Sequence, residues 1–331
     1  MVEARFDVVG IGSAIVDILA RTDEGFLADN GMVKGIMALT TAAEAKAIYE
    51  RMGQAVEISG GSAANTMAGI ASLGGKPCFI GKVGADKLGE IFAHDIRAAG
   101  VEYDGGEPRL IEMPTATCLI LVTPDGQRTM NTHLGAAKAL NAADIDVDRI
   151  AAAHVTYIEG YQWDTPSAKQ AIRKACQAAK GAKRQVALTL SDPFVVDRHR
   201  DELLALIKED IDILFGNEDE IFSLYQASDL EGAIARLREA RVLASMTRSA
   251  KGAIVFDGQT TIAVNAAPVA KVVDTTGAGD LFAAGFLYGY THGRDLAHSA
   301  RIGAMAAAEV IGHMGARPET ALRELLVKHG L

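Results

Sequence analysis

Six short apolar runs, each closed by glycine or a capping residue or followed by a helical pattern, constrain the fold of this chain more than anything else. They are "FDVVGIG" (6–12), "PCFIGKVG" (77–84), "HVTYIEG" (154–160), "QVALTL" (185–190), "DIDILFG" (210–216) and "VLASMT" (242–247). Between the first two lies "SAANTMAGIASLGG" (62–75), rich in small residues and compatible with a helix. After the second, residues 86–100 place Leu88, Ile91, Phe92 and Ile96 on one helical stripe and stop at Gly100. Strands and helices that alternate this often imply a parallel sheet covered by helices on both faces. Two stretches break the rhythm. Residues 14–40 hold "AIVDILAR" and "GIMALT", and residues 111–133 hold two strand-like runs around "PDGQ", a hairpin signal. These pieces are expected to pair as a small sheet apart from the main one.

Charge and cysteine usage narrow the possible partners. A net charge of −9 excludes a nonspecific grip on nucleic acid or an anionic membrane, so any anionic ligand must be held by a local site. No apolar run approaches the roughly 18 residues of a membrane helix. Glu3 and Asp7 stand where a secretion leader would be basic and then apolar. Cys78, Cys118 and Cys176 are isolated and odd in number, which fits buried thiols in a reducing compartment. A cytoplasmic protein, monomeric or homodimeric, is expected.

The chemistry concentrates in three places. In "DTTGAGD" (274–280), Gly277 and Gly279 free the backbone to turn and let a ligand approach, with a helix beginning at about Asp280. The N–H groups of Gly277, Ala278, Gly279 and Asp280 then point at one spot beside the positive end of a helix dipole, which suits a phosphoryl group in transfer. An acid there repels a resting anion but makes sense as the base for an attacking hydroxyl. Taken alone, these seven residues read Asp280 as a simple N-cap. In "SGGSAANTM" (59–67), Gly60 and Gly61 allow close approach and Asn65 offers a donor and an acceptor. Asp17 faces the same side if the first strand ends near Gly12, and an acid with an amide suits a vicinal diol. In "DIDILFGNEDE" (210–220), Asn217 and Glu220 share one face of a first helical turn. They can hold Mg²⁺ through water or simply start a helix. Arg128, on the hairpin, can reach a phosphate when that flap closes, or lie solvated.

Rival motifs fail. "GIGSAI" (10–15) has Ile15 where a dinucleotide fingerprint needs Gly or Ala. No Walker A loop, zinc spacing or Gly-x-Ser-x-Gly elbow is present.

The chain resembles ribokinase-like (PfkB-type) sugar and nucleoside kinases over essentially its whole length. "GGSAANTMAGIASLGGKPCFIGKVGADKLGE" (60–90) is similar to the N-terminal signature of that family, and "DTTGAGDLFAAGF" (274–286) to its C-terminal one. "NEDE" (217–220) matches its Asn-x-x-Glu motif. Residues 115–137, 155–161 and "DILFGNEDE" resemble the adenosine kinase branch, as does the long segment 18–60. The resemblance implies a three-layer α/β/α domain spanning 1–331, with a mostly parallel central sheet and a small β lid from about 14–40 and 108–134. It implies Mg²⁺ and ATP as phosphoryl donor, with adenosine converted to AMP; a sugar kinase acting on ribose, fructose or a related ketose is the alternative. Asp280 would be the base, Gly277 to Gly279 the anion hole, and Arg128 a lid contact to phosphate. Asp17, Gly61 and Asn65 would hold the ribose, with Ser13 nearby. Asn217 and Glu220 would organise Mg²⁺, Thr247 and Gly252 would lie near ATP, and Asp274 and Thr276 would bind a monovalent cation such as K⁺. Two departures touch base recognition: Ser13 stands where the branch has Asn, and Gln162, between Tyr161 and Trp163, replaces an aromatic.

Overall fold

The structure, a computed structural model, describes residues 4–103 and 112–331. Glu3 and residues 108–111 of the expected lid lie outside the described residues. The first half of the chain runs β1 (Phe6–Ile11), β2 (Ile15–Arg21), α1 (Glu24–Asp29), β3 (Met37–Leu39), α2 (Ala42–Tyr49), β4 (Ala55–Gly60), α3 (Ser62–Ser72), β5 (Pro77–Ile80), α4 (Lys87–Ala98), β6 (Ala116–Val122) and β7 (Arg128–His133). It continues through α5 (Val147–Ala151), β8 (Ala153–Glu159), α6 (Pro166–Gly181), β9 (Gln185–Thr189), α7 (Pro193–Asp210), β10 (Ile213–Asn217), α8 (Glu218–Tyr225) and α9 (Leu230–Ala240). The last part holds β11 (Leu243–Thr247), β12 (Ala253–Phe256), β13 (Thr261–Val264), α10 (Ala278–Thr291), α11 (Leu296–Val310) and α12 (Leu322–His329).

All six apolar runs are strands of one eight-stranded sheet, ordered β13-β12-β11-β10-β9-β8-β1-β5. Pairing is parallel from β5 to β11, and β12 and β13 add an antiparallel edge. The runs lack polar alternation because both faces are covered. Ile213 and Phe215 of β10 point to a core shared with α3, α4, α10, α11 and α12, whereas Leu214 points to one shared with α5 to α9. The chain is therefore a three-layer α/β/α structure with a mostly parallel sheet.

The segments that break the rhythm form a second sheet, ordered β3-β7-β6-β2-β4. The hairpin around "PDGQ" is β6–β7, antiparallel with Val122 opposite Arg128. Strand β4 is added beyond the expected segments. Its outer residues are exposed, so its apolar pattern is weak. Here the faces differ, as antiparallel sheets allow. Ile18 and Leu119 pack outward with Ala45 and Ile48 of α2, and Ala20 and Leu121 with Leu27 of α1. Ile15, Leu19, Cys118 and Ile120 point the other way, and so does Asp17 by the two-residue period of β2. That inner face looks across at the ends of the main sheet.

Candidate active site

Ligands of open α/β sheets sit beyond the carboxyl ends of the strands. Here the ends of β1, β8, β10 and β11, the starts of α3 and α10, and the inner face of the second sheet line one cleft of about 1060 Å³. It brings together Ser13, Asp17, Gly61, Asn65, Arg128, Asn217, Glu220, Thr247, Gly252, Thr276, Gly277, Ala278, Gly279 and Asp280. Asp274 stands apart, fully buried behind Thr276.

The helix expected at about Asp280 starts at Ala278, with Gly277 as N-cap at φ 77°. Asp280 is thus in the first turn and caps nothing. It is half-buried, and its carboxylate reaches across to α3. Ser62 Oγ donates to Oδ1 at 2.7 Å and Asn65 Nδ2 to Oδ2 at 3.1 Å. Burial pushes the Asp280 carboxyl up to about 6, and those two bonds hold it from rising further. Among the described residues, the amides of Gly279 and Asp280 donate to no protein group. A donor pair left open beside a helix N-terminus and a carboxylate can receive a phosphoryl oxygen while the carboxylate takes a proton.

Asp17 and Asn65 form the other end of the cleft. Asp17 is buried in the inner face of the second sheet, and burial pushes its carboxyl up to about 7 while the positive charge of Arg317 opposes the rise. Asn65 spends its amide on Asp280, but its Oδ1 is buried without a partner. Such an acceptor calls for a hydroxyl or water donor. Beside Asp17, Cys118 lines the wall, and burial pushes its thiol up to about 12.

Asn217 and Glu220 form a capping box at the start of α8: each accepts the other's backbone N–H, and Asn217 Nδ2 donates to Glu220 Oε1 at 2.7 Å. The helix-start reading is therefore correct for both, yet both line the cleft. Burial pushes Glu220 up to about 7. Among the described residues no cluster of three His, Cys, Asp or Glu could hold a metal directly. Thr247 ends β11, and Arg248 beside it pairs with Glu218 at 3.0 Å. Arg128 Nη1 donates to Thr276 Oγ1 at 3.0 Å, and Thr276 Oγ1 donates on to Asp274 at 2.6 Å. The hairpin arginine is thus tied to the "DTTGAGD" loop.

Three site residues escaped the sequence. Ser62 reads as one small helix residue among several. Glu159 reads as a lone acid ending a strand, but it lines the cleft and is buried. Tyr161 lines the cleft, whereas Gln162 turns away, its Nε2 donating to Ser13 Oγ at 2.8 Å. The departures at Ser13 and Gln162 are one hydrogen-bonded pair.

The pfkB family carbohydrate kinase model matches residues 33–321 of the chain. A curated relative, adenosine kinase of Saccharomyces cerevisiae, is 30% identical over 330 residues, covering 93% of this chain and 95% of that protein. Among solved structures, a probable sugar kinase protein from Rhizobium etli is 49% identical with a TM-score of 0.96, covering 99% of each chain. Adenosine kinase from Sinorhizobium meliloti is 48% identical with a TM-score of 0.95, covering 98% of this chain and all of that one.

Proposed function

The chain belongs to the pfkB family of carbohydrate kinases, a phosphotransferase acting on a hydroxyl group, and from that premise we propose that it is an adenosine kinase, forming AMP and ADP from adenosine and ATP. The observation that carries the reaction is the convergence of the Asp280 carboxylate, the open amides at the start of α10 and the unpartnered Asn65 Oδ1 in one cleft. Asp17 accepts from the ribose hydroxyls, and Asn65 Oδ1 takes another. The 5′-hydroxyl then meets Asp280, which removes its proton as the oxygen attacks. The open amides of Gly279 and Asp280 hold the charge on the transferring group, an arrangement set before reaction starts, whereas the Ala278 amide expected to join them donates to the Thr275 carbonyl. Thr247 and Gly252 flank the donor nucleotide.

The second sheet acts as a lid on a single domain. Leu39, Phe194 and Val272 are exposed apolar side chains that line the cleft, at 52%, 48% and 56%. Closure over a base would bury them and shut out water, which otherwise competes as the attacking hydroxyl. Arg128 would exchange Thr276 for phosphate as the lid engages.

Asn217 and Glu220 fit Mg²⁺ held through water, because both line the cleft and each side-chain oxygen accepts only one hydrogen bond in the capping box, leaving lone pairs for a bound water. Mg²⁺ bound there would neutralise charge on the phosphate oxygens. K⁺ at Asp274 and Thr276 does not fit as well: Asp274 already accepts from Thr276 N, Thr276 Oγ1 and Gly315 N. No step depends on it.

The high identity to a probable sugar kinase favours a second reading, a ribose or fructose kinase. A coupled ADP-release assay with adenosine, other nucleosides, ribose and fructose separates the two. Adenosine should give the highest kcat/KM; a higher value for either sugar overturns the nucleoside reading.

A further inference from the structure

One buried carboxylate in the cleft, Glu159, has no part in the reaction proposed above. The two oxygens of Glu159, at the end of β8, serve two segments far apart in sequence. Oε1 accepts the Ser13 amide at 2.8 Å, and Oε2 accepts the Ala63 amide at 2.9 Å. Gln162 completes the set, its Nε2 donating to Glu159 Oε1 at 3.2 Å and to Ser13 Oγ.

Among the described residues, no other side chain accepts from the amides of either segment. The N-cap of helix α3 is Gly61, which has no side chain to cap the first turn. Orphan amides at a helix start need a partner, and Glu159 supplies one from the neighbouring strand. Ser13 lies in the three-residue turn that carries the chain from β1 of the main sheet to β2, the strand of Asp17. Glu159 therefore ties the acid of the second sheet and the start of α3 to the same strand end. The first turn of α3 supplies the link to the chemistry. Ser62, just before the capped Ala63, and Asn65, two residues after it, are the two donors to the Asp280 carboxylate.

We infer that Glu159 is a positioning residue: it locks the first turn of α3 to the β1–β2 turn and, through Ser62 and Asn65, aims the carboxylate of Asp280 at the attacking hydroxyl. This role rests on Asp280 being the base. Displacements of about an ångström far from the chemistry lower turnover by about 10², so a loosened α3 start reads out in kcat. Charge gives a second signature. Asp280 feels the charges of Glu159 from β8 and Arg128 from β7, while its own charge is felt by Asp17 from β2, Glu220 from α8 and the phenols of Tyr157 and Tyr161. The negative charge of Glu159 makes Asp280 hold its proton more tightly. Taking that charge away makes Asp280 ionise at lower pH.

The test is Glu159→Gln, compared with wild type by pH profile with whichever acceptor the wild type turns over. The expected result is a kcat lowered about tenfold or more, an ATP KM within about twofold of wild type, and an acid limb of kcat/KM moved to lower pH. A purely structural defect would leave that limb where it is. A folded variant with wild-type kcat and an unmoved limb overturns the role. Gln162→Met, close in shape, decides the matter if Glu159→Gln does not fold. A several-fold loss of kcat at unchanged ATP KM supports the role, and wild-type kcat overturns it. The wild-type control separates this role from the reaction it serves: a wild type that phosphorylates no hydroxyl overturns both, whereas an unaffected variant of an active wild type overturns Glu159 alone.

Discussion

The two helix starts facing each other in the cleft begin alike and end differently. Both α3 and α10 open on a glycine at positive φ, 94° at Gly61 and 77° at Gly277, and neither has a side-chain cap of its own. At α3 the deficiency is met in part inside the protein, because the Glu159 side chain takes the Ala63 amide. At α10 it is left unmet, with the amides of Gly279 and Asp280 turned to the cleft. Both cap glycines are packed in, since a Cβ on Gly277 would fall on Ala316, but Gly279 inside the first turn of α10 is not. A Cβ on Gly61 would fall on the Ser13 carbonyl, whereas one on Gly279 would meet nothing within 4 Å. One helix start is packed to hold groups still. The other is kept empty for an anion.

Breaking the chemical half of this pair should have the largest effect. Asp280→Asn is expected to lower kcat by about 10²–10⁴ with ATP KM roughly intact; near-normal turnover would remove Asp280 as the base. Exchanging alanine for the two glycines tests the contrast directly. Gly279→Ala should keep the melting temperature but lower kcat/KM by about 10², since the methyl fills the space meant for the anion. Gly61→Ala should instead destabilise the fold by about 1–3 kcal/mol or more, visible in thermal melts. Equal losses of stability in both variants would dissolve the distinction.

Smaller effects sharpen it. Asp17, Glu220 and Asp280 are raised to about 7, 7 and 6, above their ordinary values near 4. The folded protein thus holds their protons more tightly than the unfolded chain. Their contribution to stability is full below about pH 4 and is lost as pH rises through 6 to 7. Asp17→Asn should therefore raise the ligand-free melting temperature at pH 8 while weakening acceptor binding, read as a higher KM. An unchanged acceptor KM would take Asp17 out of the ribose site. Ser62→Ala is the mildest. It deletes a bond that favours ionised Asp280, so the acid limb of kcat/KM, near pH 6 in the wild type, should move up by about one unit at most. That is opposite in direction to Glu159→Gln.

The sequence displayed one side of this comparison far better than the other. The parallel sheet is legible because strands buried on both faces are unbroken apolar runs. "DTTGAGD" is legible because a ligand-facing turn needs glycines and an acid close together in the chain. Strand β4 is not, since its exposed residues blur the pattern. Ser62 and Glu159 are invisible for a different reason. Their partners lie 218, 96 and 146 residues away, so nothing local marks them. Asn217 shows the limit from the other direction: its local pattern reads first as a helix start and only then as an oxygen donor, and the folded residue is a cap standing at the cleft wall.

Cys118 lines the acceptor end of the cleft, yet burial and the neighbouring Asp17 keep its thiol protonated far above neutrality, against the hydrogen bond that Thr132 Oγ1 donates to its sulfur at 3.3 Å. Only a thiolate attacks alkylating agents or peroxide efficiently. The protein should therefore keep its turnover after exposure to iodoacetamide or mild oxidants, although this sulfur stands in the wall of the cleft.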